Sequence, residues 1–80
     1  MGRPPNPIDE STRAGRIGAR IRARRLRRGM YVKQAAAAAG MAQSYWSELE
    51  SRGMAERASV AVLDRVAAAL GCTVGWLVRE

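Results

Sequence analysis

Eighty residues carrying a formal net charge of +7 suit one small domain, and nearly half of them are hydrophobic although Phe is absent. One Cys and no His exclude an internal disulfide, a cysteine zinc cluster, histidine-based catalysis and histidine metal sites. No apolar run reaches transmembrane length, no signal-peptide pattern opens the chain, and Asn6 breaks the myristoylation pattern after Gly2, so the expected location is the cytoplasm.

The charge is unevenly placed. Residues 1–28 hold nine Arg against Asp9 and Glu10, while residues 29–80 hold five cations against five acids. The whole excess therefore sits in the first third of the chain. A basic block beside a neutral body favours a polyanionic partner over the alternative of a merely solvated arginine-rich helix.

Residues 1–10 read as a flexible arm, since all three prolines lie in Met1–Pro7 with little to bury. Asn6, Ser11 or Thr12 can cap a first helix, whose early turns Gly15 and Gly18 weaken. Positions 14, 17, 21, 24, 25 and 28 share one face at helical spacing, and Gly29 ends the helix. A second helix runs over 32–39 up to Gly40, and a third over 43–51 up to Gly53. Ser59 caps a fourth helix with the stripe Val60, Leu63, Val66, Ala67 and Leu70, closed by Gly71. Cys72 then reads as a small buried thiol, and Thr73 caps a short fifth helix carrying Trp76 and Leu77. No segment alternates as a strand does. The expected fold is all-α: a compact bundle of five short helices over residues 11–80. Its anchors are Ile17, Ile21, Trp46, Leu49, Leu63, Leu70, Trp76 and Leu77.

Residues 35–50 concentrate the information. Five alanines, a turn at Gly40 and a polar helix opening at Gln43 spell a helix-turn-helix, a motif whose second helix can enter the DNA major groove. Around it stand Ile17-Gly18, Ile21-Arg22, Arg25, Gly29-Met30, Ala36, Gln43-Ser44-Tyr45, Leu49-Glu50, Gly53, Leu63, Val66-Ala67 and Leu70-Gly71. In order and spacing, this set over about residues 16–78 resembles the Cro and phage-repressor (XRE) type of helix-turn-helix. The resemblance implies a lambda-repressor-like DNA-binding domain, working as a dimer on a palindromic operator and associated with the nucleoid.

The resemblance places Gln43, Ser44 and Ser47 at base-reading positions. The chemistry agrees: Gln pairs in bidentate fashion with adenine, and Ser serves either base type. Trp46 is expected in the core, not as a stacking platform. The resemblance also implies an ion pair between Arg25, late in the first helix, and Glu50, near the end of the third. Candidates for DNA backbone contacts are Lys33, Gln34, Tyr45, Arg52, Arg57 and Ser59. Arg22, Arg24, Arg27 and Arg28 either approach phosphate or stay solvated. The chain departs from the family pattern at Tyr31-Val32, where a capping Ser or Thr and a phosphate-binding Gln usually stand. It departs again at Ala35, usually Leu, and at Ala42, usually a capping Ser. Lys33 or Gln34 can replace the missing phosphate contact, and Trp46 can fill the volume that Ala35 lacks. The segment after Gly53 is longer than usual.

The leading reading is therefore a sequence-specific regulator of transcription bound to double-stranded DNA, without catalytic activity, metal, cofactor or small-molecule substrate. The alternative is a protein-interaction module of the same fold, for example antitoxin-like, with weak or no specific DNA binding. A basic helix on RNA or an anionic membrane is a third class, opposed by the capped helical body after Gly29. Gly2-Arg3-Pro4 matches the centre of an AT-hook but is too short to weigh against a plain tail. Leu26, opposite the core stripe of the first helix, is an exposed apolar residue or a protein contact.

Overall fold

The computed structural model describes residues 13–51 and 58–79, and every regular element among them is an α-helix. In chain order they are α1 (Arg13–Arg27), α2 (Val32–Ala39), α3 (Gln43–Ser51), α4 (Val60–Leu70) and α5 (Val74–Val78). The expected Asn6, Ser11 or Thr12 cap, the AT-hook match and Gly53 lie outside the described residues.

Helix ends are set by a repeated local device. Gly40 and Gly71 adopt φ near +70°, a left-handed conformation that side-chain-bearing residues rarely take. The next amide then reaches back: Met41 N–H donates to Ala36 O at 2.9 Å, and Cys72 N–H to Ala67 O at 2.9 Å. The same closure follows α1, where Met30 N–H donates to Arg25 O. At the starts, Ser59 Oγ accepts from Val62 N–H and Thr73 Oγ1 from Trp76 N–H, both at 3.1 Å.

The core draws on all five helices. Ile17 and Ile21 of α1 meet Trp46 and Leu49 of α3, and the small Ala35, Ala36 and Ala39 let α2 sit close. Leu63, Val66, Ala67 and Leu70 of α4, with Leu77 of α5, close the other side. Two expected apolar positions are corrected. Trp76 is only half-buried, packed against the core from outside, and Val60, the first residue of α4, is exposed, whereas Leu63 one turn on is buried.

Gly18 has a role that its low helix propensity hides. A Cβ at this position would lie 2.7 Å from the carbonyl oxygens of both Leu49 and Glu50. Only a residue without a side chain lets α1 cross α3 this closely.

Candidate nucleic-acid interface

Trp46 and Leu49, both fully buried, pin the inner face of α3, and Glu50 joins them with 7% of its surface exposed. Its carboxylate is the node of a small network. Arg25 donates to it through Nε at 2.7 Å and Nη2 at 3.1 Å, a two-pronged ion pair across the α1–α3 crossing. The Trp46 indole Nε1–H donates to the same Oε2 at 2.6 Å, and Arg25 Nη1 also reaches Met30 O at 2.9 Å. Among the described residues no buried side-chain nitrogen or oxygen lacks a partner. Full satisfaction matters, since a buried charge with a vacant lone pair would cost more than the pair contributes.

With its inner face fixed, α3 turns Gln43, Ser44 and Ser47 outward, all exposed. At about 100° per residue these three fall within an arc of about 100° on the helix, which Ser51 shares. Ser51 spends its hydroxyl on Ser47 O at 2.8 Å, inside the helix itself. Tyr45 and Glu48 are half-buried flanking residues.

Lys33 and Gln34 are exposed in the first turn of α2, beside the half-buried Val32. Gln34 has a further duty: its Oε1 accepts from Tyr31 N–H at 2.8 Å and so closes the helix start in place of the missing Ser or Thr. Ser59 is exposed, and its oxygen is occupied as the cap of α4. Arg52 and Arg57 lie outside the described residues.

Arg24 and Arg28 depart from the expectation of phosphate contact or simple solvation, whereas Arg22 and Arg27 are exposed. Arg24 Nε donates to Leu70 O at 3.1 Å and its Nη2 to Gly71 O, while Arg28 Nη1 also reaches Leu70 O. Arg20 Nη1 donates to Leu77 O and Arg79 O beyond α5. Arg65 does the same for α2, through Nε to Ala39 O and Nη2 to Gly40 O. These side chains satisfy carbonyls that helix ends leave open and place positive charge at the negative end of each helix. Arg20, Arg24 and Arg28 recur every fourth residue on one stripe of α1, a spacing that could have separated them from the rest of the run. Burial pushes the Cys72 thiol up from its ordinary range, against the opposing pull of Arg24 and Arg28, so the thiol stays protonated at neutral pH.

Comparison with known proteins places this geometry. A family model for the helix-turn-helix domain matches residues 16–79, nearly all of the described chain. The chain belongs to the helix-turn-helix family. Its domain is of the Cro and XRE type, a class of DNA-binding regulatory domains that are not enzymes. A solved chain from the complex of the SinR and SinI proteins superposes with a TM-score of 0.72 at 36% identity. The match covers 80% of this chain but 61% of that one, so the domain spans about three-fifths of the other chain's length. No curated protein matches the sequence. Among the described residues no helix is long and apolar enough to cross a membrane, and no group of His, Cys, Asp or Glu is arranged to hold a metal ion.

Proposed function

We propose that the domain binds double-stranded DNA sequence-specifically, with α3 in the major groove, as a regulator of transcription. The observation that carries this reading is the division of α3 into a pinned inner face and an outward arc of Gln43, Ser44 and Ser47. A recognition helix must be held rigidly to read bases, and the Arg25–Glu50–Trp46 network supplies that rigidity. Gln43 recognises adenine, Ser44 and Ser47 contact neighbouring base edges, and Lys33, Tyr45, Arg52, Arg57 and Ser59 hold the backbone. Gln34 retains its amide group for phosphate while its oxygen caps α2. Two copies bind a palindromic operator, since one recognition helix reads too few base pairs to find a site alone.

Selection of sites from random duplexes tests the reading. A palindromic consensus is expected, and Gln43→Ala should relax one position in each half-site by about 1–3 kcal/mol. An unchanged consensus in that variant, measured alongside an unchanged fold, refutes the assignment of α3.

A second reading is favoured by the altered start of α2, where the exposed Tyr31 makes no side-chain cap and Val32 replaces a polar contact. In it the fold serves a protein partner, a reading supported by the similar chain having been solved in a complex of the SinR and SinI proteins. No binding to any duplex at low salt would select this reading.

A further inference from the structure

The anchors of α3 all stand behind its first residues. Trp46, Leu49 and Glu50 are its buried side chains, whereas Gln43 and Ser44 precede them and are exposed. Ala42, just ahead of the helix, has no side-chain acceptor for the open amides of the first turn. Gln43 lies about 9 Å along the helix axis from Leu49, so a tilt of about 6° about that anchor displaces it by roughly 1 Å. A bidentate contact needs its side chain held within about 0.5 Å. The buried face therefore leaves the entry to α3 to be held by something else.

Arg65, on α4, reaches that entry. Its Nε donates to Ala39 O at 3.0 Å and its Nη2 to Gly40 O at 2.7 Å, the last carbonyl of α2 and the first of the turn. Gly40 leaves the room for it: a Cβ there would lie 2.8 Å from Nη2. The planar fork grips two successive peptide units at once and so fixes the direction in which the chain leaves α2. Only Met41 and Ala42 then separate the gripped carbonyl of Gly40 from Gln43, and Met41 N–H is itself tied to Ala36 O. Little freedom is left between fork and reading residue.

We propose that Arg65 is a positioning residue for base reading: its grip on the turn sets the angle at which α3 presents Gln43 and Ser44. The inference rests on the reading of α3 as the recognition helix. Charge alone does not do this. A Lys keeps a cation at the end of α2, but its single nitrogen cannot present two donors in the guanidinium plane. A misaimed helix loses base discrimination while phosphate contacts, which carry no sequence information, persist.

The test is fluorescence anisotropy with the full chain on three duplexes. These are the palindrome selected by the wild type, the same duplex changed at the base pair that Gln43→Ala relaxes, and a random duplex. The wild type should discriminate against the changed base pair by about tenfold or more. In Arg65→Lys and Arg65→Ala, shown folded by circular dichroism at the assay temperature, that ratio should fall below about threefold. Affinity for the random duplex and the salt slope should not change. Leu63→Val, a core truncation on the same helix that also lowers stability, should keep the wild-type ratio. The proposal is overturned if folded Arg65→Lys keeps the ratio, or if Leu63→Val loses it equally. It is also overturned if Arg65→Ala lowers the salt slope by about 0.9, which makes Arg65 a phosphate contact. A wild type that binds no duplex refutes the reading of α3 and this inference with it. A selected palindrome whose discrimination survives in Arg65→Lys sinks this inference alone.

Discussion

Glu50 shows how one residue decides whether the recognition helix has a fixed position. Its two oxygens accept from Arg25 on both prongs and from the Trp46 indole one turn earlier in α3. Removing the carboxylate strands a guanidinium that is only 8% exposed and leaves an indole N–H without its acceptor. Glu50→Ala should therefore lower stability by about 3–5 kcal/mol, read as a large fall in melting temperature. An unchanged melting temperature contradicts the buried pair. The family resemblance implied Arg25 with Glu50, but not Trp46 as the third member. An aromatic at this spacing reads as core whether or not its nitrogen has a partner.

At the scale of helices, the ends and the crossings hold the information that hydrophobic periodicity lacks. Gly18 lowers helix propensity, so Ala there would gain about 1 kcal/mol in an isolated helix. In the folded domain the added methyl meets two backbone carbonyls of α3 at 2.7 Å, atoms that cannot swing away as a side chain can. Overpacking of that kind costs about 1–3 kcal/mol, so it offsets the propensity gain or exceeds it. Gly18→Ala should destabilise in urea unfolding, and a stabilised variant would show that α1 and α3 are further apart. Arg65 poses the complementary case. It ties α4 to the last carbonyls of α2, just before the turn that aims α3. Arg65→Ala should cost about 1–2 kcal/mol, and Arg65→Lys should restore little of it, because a lysine's single nitrogen cannot present two donors at the spacing of the planar guanidinium. Equal stability of the Lys variant and the wild type by chemical denaturation would argue against the fork.

For the molecule as a whole, net charge and binding charge are different quantities. Fourteen cations produce the +7, yet Arg20, Arg24, Arg25, Arg28 and Arg65 are engaged with carbonyls or with Glu50. Of the nine others, three are backbone contacts in the proposed DNA complex: Lys33, Arg52 and Arg57. The log–log salt slope of duplex binding should then be about −3, against about −11 if the nine N-terminal arginines met phosphate as well. A slope near the larger value would place α1 on the DNA.

The sequence by itself determined the bundle. Glycines that only a left-handed closure needs, hydroxyls that cap, and apolar residues at helical spacing are local properties, written in order along the chain. The limits of α2 and α3 and the inward turn of Trp46 followed from them. Tertiary structure alone decided what most of the arginines do. Composition sees identical charges, and only the pairing of Arg25 was implied beforehand, by the family resemblance; the fold sends Arg20, Arg24, Arg28 and Arg65 onto helix ends. Others line a groove with Trp76. A guanidinium's role depends on which carbonyl, carboxylate or ring comes within about 3–6 Å of it, and those neighbours lie twenty-five to sixty residues away in sequence.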